Sequence, residues 1–487
     1  MKTKGKFENK DLITIQKELL INGGDLDLYL DLFLTDENGH KEKILTKKAD
    51  SILANFMRIL YLQMARDRRD NVMGGTFYYN SLTSTAIDSI TSGNGGVYRL
   101  NFSSSYFITS IYDGGGKITL GGFQGIDIDG QYNFTKVDGD SIELTGTTYQ
   151  SGWTSGTGGV QVFLPITNIN NPSYKSFGSN GIIIGTGNQA VTIDDQMLQK
   201  QIPNGSADGS LTYNASTVSQ DTNDATSAQI TFTRTFTNNA SLTVTVKEVG
   251  FLMQAGTNAR SLLTMRDILP SGVNVSQGKT LTVNYRIKTN LDSGTDPGGF
   301  VASFMRMLYR HIGGTNRAVF DINNVSRTYY PSSTSFGAVK CGGYNVEYYP
   351  YENEEGWKNG IVIGSGNTAV SMADYFLESV IPHGKTTGAM LHYGGFAQDF
   401  VIGADYAQFD IHKAFENASG APIDVNEYGL VVGADDSGSL LDSSNDMMTH
   451  FNMIARNTLS APVTVESNKM LKVIYTIKCI VTGGASS

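Results

Sequence analysis

Alternation of apolar and polar residues is the most regular pattern along the chain. Within residues 26–36 (LDLYLDLFLTD), leucine occupies every second position from Leu26 to Leu34, and apolar residues recur with the same spacing from Leu281 to Ile287 and from Leu471 to Ile477. A period of two places these side chains on one face of an extended chain, which is typical of a half-buried strand. The pattern therefore predicts sheets that have one face against a core.

Helical spacing appears in two stretches, residues 53–64 (LANFMRILYLQM) and residues 301–312 (VASFMRMLYRHI). The apolar residues of each stretch recur three and four positions apart, which is typical of an amphipathic helix. Each stretch also follows an alternating strand. We therefore predict two helices whose apolar faces, around Phe56 and Phe304, pack inside their own parts of the chain.

A long internal repeat organises the sequence. Residues 181–205 (GIIIGTGNQAVTIDDQMLQKQIPNG) match residues 360–384 (GIVIGSGNTAVSMADYFLESVIPHG) at 13 of 25 positions without a gap. The offset that pairs Gly181 with Gly360 persists as far as Gly250 and Gly429, and the match resumes at Arg266 and Arg456 after an insertion in the second copy. Such a fixed offset predicts a tandem duplication.

The predicted fold class is mainly β, with two tandemly duplicated antiparallel β-sandwich-like units. Each unit has one amphipathic helix, and the first unit also carries a β-rich insert with many Gly, Ser and Thr residues. The predicted domains are an N-terminal segment with the entry strand and helix of unit one (1–71), the insert (72–178), the core of unit one (179–289), the helix and tyrosine-rich insert of unit two (290–357) and the core of unit two (358–487).

The glycines of the repeated loop raise the question of a bound nucleotide. The first copy contains G-x-G-x-x-A, which is close to the loop that holds a dinucleotide pyrophosphate between a strand and a helix. That site needs a helix directly after the glycines and an acidic residue about 20 positions later. Both copies instead continue in an extended pattern and then reach a Pro/Gly-rich stretch. We therefore predict no cofactor, and tight turns with positive φ at Gly185, Gly187, Gly364 and Gly366.

Composition and charge narrow the classes of function. Charged residues make up 17% of the chain, glycine numbers 55, and the formal net charge is −9. A nucleic-acid binder needs a basic face, so the acidic balance argues against that class. No run of about 18 apolar residues occurs, and no membrane span is predicted. Cys341 and Cys479 lie far apart, which indicates neither a metal knuckle nor a disulfide framework.

Sequence motifs of catalysis and of metal binding do not occur in the chain. The six histidines form no H-x-x-x-H or H-E-x-x-H pair, and there is no G-x-S-x-G motif. We therefore predict no enzymatic activity. The acidic clusters do not fit the twelve-residue Ca²⁺ loop and are interpreted as Asp-Gly turns, with bound Ca²⁺ as the alternative. Their residues are Asp127, Asp129, Asp138, Asp140, Glu143, Asp435 and Asp436.

Aromatic residues concentrate in the insert of the second unit, in DINNVSRTYYPSS and GGYNVEYYPYENEEGW. Tyr and Trp combine a flat apolar face with a polar tip, which suits a subunit interface and also suits stacking on sugars. We predict a subunit interface, with glycan binding as the alternative. The candidate interface residues are Tyr329, Tyr330, Tyr348, Tyr349 and Trp357.

One composite pattern occurs in both copies: I-x-x-G-x-G-N-x-x-V-x-x-x-D-x-x-L, then F-x-N, then V-x-E-x-G, then R-x-x-L and an alternating final strand. Over residues 181–289 and 360–478, this pattern resembles β domains found in structural proteins of tailed bacteriophages. The resemblance implies a virion component of the neck, tail or head, assembled in the host cytoplasm from copies of itself and other virion proteins. The alternative is a carbohydrate- or receptor-binding adhesin of the same particle, with residues 72–178 as the candidate binding part.

Overall fold

The protein is mainly β in the computed structural model, as the alternating pattern predicts. The structure describes residues 12–49, 51–65, 77–81, 87–102, 116–121, 126, 128, 130–138, 141–153, 159–166, 181–193, 195, 197–221, 227–255, 260–293, 296–313, 317–329, 356–434 and 450–481. Strands form most of these ranges, together with two α-helices and two short 3-10 helices. Within them, no helix has the length and apolar character needed to cross a membrane.

The N-terminal part and the insert form the first ten strands. The chain begins with β1 (Leu12–Ile21), β2 (Leu26–Thr35), β3 (Lys41–Lys48) and helix α1 (Ala54–Ala65). The insert follows with β4 (Phe77–Ser81), β5 (Ile87–Ser92), a 3-10 helix (Asn94–Gly96), β6 (Tyr98–Phe102), β7 (Gly116–Gly121), β8 (Gly130–Lys136), β9 (Ser141–Leu144) and β10 (Gly159–Ile166). These insert strands make a separate antiparallel sheet in the order β4-β10-β7-β8-β9-β6-β5.

Two later segments contain the remaining strands. The first segment, residues 181–290, consists of β11 (Gly181–Gly185), β12 (Thr212–Tyr213), β13 (Thr217–Asp221), β14 (Ser227–Thr237), β15 (Val244–Ala255), β16 (Arg260–Val275) and β17 (Thr280–Asn290). The second segment, residues 298–480, begins with β18 (Gly298–Phe300), helix α2 (Ala302–Gly313), β19 (Arg317–Phe320), β20 (Ser326–Tyr329) and a 3-10 helix (Gly356–Lys358). It continues with β21 (Gly360–Gly364), β22 (Leu391–His392), β23 (Phe396–Ile402), β24 (Tyr406–Glu416), β25 (Ile423–Ala434), β26 (His450–Val465) and β27 (Met470–Ile480).

Equivalent strands of the two segments pair in the same way. Strand β15 lies between β11 and β16 in the first segment, and β25 lies between β21 and β26 in the second. Strand β15 has register shifts at Val246/Glu248 and Phe251/Leu252, and β25 has them at the equivalent positions, Val425/Glu427 and Leu430/Val431. The repeated sequence therefore coincides with repeated pairing, including the positions of the irregularities.

A large sheet joins both segments in the order β12-β14-β17-β2-β1-β27-β24-β22, with β13, β3 and β23 paired beside this path. Strands β17 and β2 are antiparallel, whereas β1 and β27 are parallel. Along this path, the two halves of the sheet meet where Ile21 of β1 pairs with Leu26 of β2. The sheet consequently has two multi-stranded halves, which are joined at a single residue pair.

The hydrophobic core lies between this large sheet and two smaller sheets, β11-β15-β16 and β18-β26-β25-β21. In the first segment, the Phe251 ring lies 4.9 Å from that of Phe232 and 6.2 Å from that of Tyr285, so β15 packs on β14 and β17. In the second segment, the Tyr428 and Tyr475 rings lie 5.5 Å apart, so β25 packs on β27. One continuous cluster of buried residues includes side chains from both segments. The insert has its own cluster of buried residues.

The two helices occupy the predicted positions, and the expectation that each packs inside its own unit holds only in part. Phe56 and Phe304 are buried as predicted. Helix α1 lies against β16 and also against β23 and β24 of the second segment, where the Tyr61 ring is 5.3 Å from those of Phe400 and Phe409. Helix α2 lies against β26 and also against β13 and β14 of the first segment. Each helix therefore connects the two segments.

Candidate functional site

A loop after β11 is held by one buried carboxylate. Glu248 on β15 is fully buried, and its Oε1 accepts the backbone N–H of Gly187 at 3.0 Å and of Lys200 at 2.8 Å. Its Oε2 accepts the backbone N–H of Gln199 at 3.0 Å. Buried backbone N–H groups require acceptors, and here one side chain satisfies both ends of the loop. The register shift beside Glu248 is of the kind that re-aims a side chain.

An arginine connects this carboxylate to the middle of the loop. Arg266 on β16 donates from Nε to Glu248 Oε2 at 3.1 Å and from Nη1 to Asp195 Oδ2 at 2.6 Å. Its Nη2 donates to the backbone oxygen of Gln189 at 3.0 Å. Asp195 also accepts from the backbone N–H of Thr192 at 3.0 Å and from its hydroxyl at 2.7 Å. We call Asp195, Glu248 and Arg266 the first network.

The second network consists of Asp374, Glu427 and Arg456, and it repeats this geometry. Glu427 accepts the backbone N–H groups of Gly366 at 3.2 Å, Ser379 at 2.8 Å and Glu378 at 3.1 Å. Arg456 donates to Glu427 at 2.9 Å and to Asp374 at 2.7 Å. Burial lowers the pKa of Arg456, but the hydrogen bond and charge of Asp374 and the charge of Glu427 outweigh it, so the pKa is raised.

The tips of the two loops differ in one charge. In the first loop, the Gln199 amide oxygen accepts the backbone N–H groups of Asn188 and Gln189, both at 2.9 Å. In the second, the Glu378 carboxylate accepts those of Asn367 and Thr368, both at 2.8 Å. Hydrogen bonds from the Thr368 backbone and hydroxyl are the main reason that the pKa of Glu378 is lowered. The second loop therefore has a titratable group where the first has a neutral amide.

The four predicted turn glycines are needed for space, and the prediction of positive φ is wrong. None of the four lies in the left-handed region: Gly185, Gly187, Gly364 and Gly366. A Cβ on Gly185 would stand 2.5 Å from Glu248 Oε1 and 2.6 Å from the Lys200 backbone oxygen. Positive φ occurs earlier, at Gly181 (93°) and Gly360 (75°), where β11 and β21 begin. The glycines thus allow a carboxylate to approach the backbone closely.

The loop geometry does not resemble a dinucleotide site. The residues that follow the glycines, 186–193, are all described and form neither a helix nor a strand. The N–H groups of Gly187, Asn188 and Gln189, which an anion at the glycines would need, already donate to Glu248 and Gln199. Each network is therefore suited to bracing a loop against a sheet, and its carboxylate oxygens are already occupied by donors from this chain.

At another pair of equivalent positions, a lysine and an arginine both donate hydrogen bonds to backbone oxygens. Lys413 on β24 stands at the repeat position of Arg234 on β14. Its buried ammonium donates to the backbone oxygens of Trp357 at 2.6 Å and Asn359 at 2.8 Å, and burial lowers its pKa to about 7. Arg234 donates to the backbone oxygen of Ile182 at 3.1 Å. Both cations thus bind backbone oxygens in, or directly before, the strand that precedes the repeated loop.

A second pair of equivalent positions, Tyr213 and His392, lies beside these cations. The Tyr213 hydroxyl donates to the Ile202 backbone oxygen at 2.6 Å. In the second segment, His392 Nε2 lies 3.1 Å from the Ile381 backbone oxygen. Burial holds the pKa of His392 well below its usual range, and the nearby Lys413 adds to this effect. The ring at this position is therefore a packing and hydrogen-bonding element in both segments.

The structure describes two of the five predicted interface residues, Trp357 and Tyr329. Trp357 is buried, with its ring 4.9 Å from that of His392, so packing inside the second segment accounts for it and it is not an exposed anchor in the single chain. Tyr329 is the last residue of β20. Three other predicted residues lie outside the described part of the chain: Tyr330, Tyr348 and Tyr349. The interface role of the tyrosines stays a prediction.

The predicted acidic clusters are only partly described. In the hairpin of β8 and β9, Asp138 accepts the Ser141 hydroxyl at 2.8 Å, and Glu143 pairs with Arg99 at 2.5 Å. The other acidic residues lie outside the described ranges: Asp127, Asp129, Asp140, Asp435 and Asp436. Among residues that the structure does describe, no three His, Cys, Asp or Glu side chains lie together as a metal site.

Sequence reasoning identified the glycines and included the charged residues in the repeated pattern, but it did not predict that those charged residues pair beneath the glycines. A signal was present, because Asp195, Glu248 and Arg266 are identical to their equivalents in the second copy. Charged residues repeated between copies in otherwise apolar strands indicate paired burial. Comparison with protein-family models, with curated proteins and with solved structures finds no match to the chain. The interpretation of the networks therefore depends on their own geometry.

Proposed function

We propose that this protein is a non-enzymatic structural component of a tailed-bacteriophage virion, in its neck, tail or head-attached part. It assembles with copies of itself and with other virion proteins. Its core consists of two tandem copies of one antiparallel β-sandwich-like unit, derived by duplication. The starting point is the composite pattern of residues 181–289 and 360–478, which resembles β domains of such proteins.

The observation that carries the proposal is the recurrence of the buried network. In both segments, one carboxylate accepts three backbone N–H groups and an arginine joins it to a loop aspartate. This use of buried charge braces a loop and fixes its geometry. A closed assembly requires rigid subunits that bury self-complementary surfaces. The braced loops therefore favour a structural function for this protein.

A specific feature of the insert favours the alternative, a carbohydrate- or receptor-binding adhesin of the same particle. The insert has its own sheet and its own core. Tyr132, Tyr149 and Trp153 pack against that core while only partly buried. Partly exposed aromatic rings beside a separate sheet suit stacking on sugars.

One pair of experiments separates the two functions. Light scattering and electron microscopy of the purified protein are expected to show a discrete oligomer, and a label on this chain is expected to appear at one position in the particle. A chain that stays monomeric and is absent from purified particles contradicts the structural function. Saturable binding of the insert on a glycan array, lost on Trp153→Ala, supports the adhesin.

A further inference from the structure

The path of the large sheet ends in two equivalent strands. Strand β12 (Thr212–Tyr213) ends it in the first segment, and β22 (Leu391–His392) ends it in the second. Each is two residues long and pairs with a long strand, β14 or β24. We call these regions the β12 end and the β22 end. Elements with so few ladder hydrogen bonds open locally at low free-energy cost, so the side chains beside them decide how firmly each end is held.

One hydrogen bond recurs at both ends with a different acceptor. At the β12 end, the backbone N–H of Tyr213 donates to Asn204 Oδ1 at 2.9 Å. At the β22 end, the backbone N–H of His392 donates to His383 Nδ1 at 3.0 Å. Asn204 and His383 occupy the same repeat position, as do Tyr213 and His392. This bond, which we call the latch, is kept while its acceptor changes from an amide oxygen to an imidazole nitrogen.

An imidazole can serve as this acceptor only while it is neutral. The neutral ring of His383 that accepts on Nδ1 carries its hydrogen on Nε2. Uptake of a proton makes both ring nitrogens donors, so Nδ1 then presents an N–H to the N–H of His392 and the latch is lost. His383 is partly exposed, which gives its ring access to protons from solvent. The latch at the β22 end therefore depends on pH.

The surroundings of the two histidines disfavour positive charge. Burial is the main reason that the pKa of His383 is lowered, and the charge of Lys413 on β24 adds to it. Burial also holds the pKa of His392 well below its usual range, with further contributions from Lys413 and His383. The other rings against His392 are those of Trp357 and Phe415, at 4.9 Å and 4.8 Å, and they are uncharged. A proton on His383 consequently weakens the closed β22 end.

The β12 end has groups that do not titrate in the same range. Asn204 has no ionisable group, and burial raises the pKa of Tyr213 to about 12. Arg234 stands at the repeat position of Lys413, with its guanidinium 5.0 Å from the Tyr213 ring, and arginine stays protonated in proteins. Three equivalent positions are thus titratable at one end of the sheet and fixed at the other. The β12 end is an internal control within the same chain.

We propose that the β22 end is a pH-sensitive latch, in which protonation of His383 releases His392 and opens β22 while β12 stays closed. Acidification thereby uncovers the edge of β24 and leaves the edge of β14 covered. This device goes beyond the proposed structural function and does not depend on it.

The direction of the pH dependence follows from the lowered pKa of His383. The opened end, whose histidine has the ordinary pKa of 6.5, binds a proton more readily than the closed end. The closed end is therefore most stable above that value and loses stability as the pH falls through it toward the lowered pKa. The pKa of Lys413, about 7, is lowered from 10.5, which places the effect of that residue at higher pH. Measurements between about pH 7 and about pH 5 thus report mainly on the histidines.

Hydrogen exchange of the full-length protein tests the latch. Amide exchange is followed by mass analysis of peptides between about pH 7 and about pH 5, and each rate is divided by the unstructured rate at the same pH. Protection of residues 383–393 is expected to fall several-fold on acidification, whereas protection of the equivalent residues 204–214 is expected to stay constant. Equal behaviour of the two ends overturns the proposal, and this comparison needs no substitution.

Substitutions identify the residue that senses the proton. His383→Asn introduces the acceptor of the first segment, so it is expected to keep the latch and to abolish the loss of protection at low pH. Asn204→His is the reciprocal change and is expected to introduce that loss at residues 204–214. His40→Asn, at an exposed position in the turn between β2 and β3, is the matched control and leaves the dependence unchanged. A His383→Asn chain that still loses protection on acidification overturns the assignment to His383.

A titration of the unaltered protein gives an independent measurement. The ring of His383 is followed by nuclear magnetic resonance, with the His383→Asn chain used to assign its signal. Its pKa is expected below the ordinary value of 6.5, with the change in the ring signal accompanied by a change in the His392 amide. A pKa at or above the ordinary value, or an His392 amide that does not respond, contradicts the latch.

Discussion

At the scale of single residues, the glycines and the buried carboxylates depend on each other. Glu248 reaches the loop backbone because Gly185 and Gly187 present no Cβ toward it. A side chain at either position would displace the carboxylate and take a partner from Arg266. A small residue thus determines whether a charged pair is tolerated in the core.

Gly187→Ala is expected to lower the free energy of unfolding by about 1–3 kcal/mol, because the added methyl overlaps Glu248 and Gln199. Gly366→Ala is expected to do the same in the second segment. The control is Gly205→Ala, whose Cβ would meet nothing closer than Ser210 Cβ at 3.6 Å. Urea unfolding measures all three variants. Equal stability of Gly187→Ala and Gly205→Ala would show that close approach is not the reason for the glycine.

At the scale of the element, the two equivalent loops share a brace but not a charge. Gln199 and Glu378 each accept two backbone N–H groups at the loop tip. The folded-state pKa of Glu378 lies below the ordinary value of 4.5, so the folded loop binds a proton less readily than the unfolded chain. Its contribution to stability is therefore present above that value and is lost as the pH falls through the lowered pKa.

Glu378→Gln is expected to remove this pH dependence while keeping both hydrogen bonds, since Gln199 makes them in the first loop. The difference in unfolding free energy between the parent and the variant should shrink as the pH falls from about 5 to about 3. Gln199→Glu is the reciprocal control and is expected to introduce the same dependence in the first loop. Denaturant unfolding at several pH values measures both, and a difference independent of pH would refute the role of Glu378.

At the scale of the whole molecule, the two segments share one core and the insert has a core of its own. Helices α1 and α2 each lie against strands of both segments, and one cluster of buried residues runs through both. The insert contributes a separate cluster. Its first and last strands, β4 and β10, pair with each other, so the insert begins and ends at neighbouring points.

Replacement of residues 82–161 by Asn-Gly is expected to preserve the fold of the two segments. Ser81 and Val162 are opposite each other in the ladder, and Asn-Gly suits a two-residue hairpin between them. Scanning calorimetry of the parent should show one transition for the segments and another for the insert, and the variant should lack only the second. Loss of both transitions would mean that the insert supports the segments.

Local structure can be predicted from the amino-acid sequence alone: the alternating strands, the two helices and the repeat that pairs Gly181 with Gly360. Periodicity shows which face of an element is buried, and that is a local property. Three features become visible only in the folded chain: β1 joins β27, each helix packs across both segments, and Glu248 and Arg266 meet beneath the glycines. Those contacts join residues far apart in the chain. Contacts between distant residues depend on how all the elements pack together, and a local sequence pattern does not contain that information.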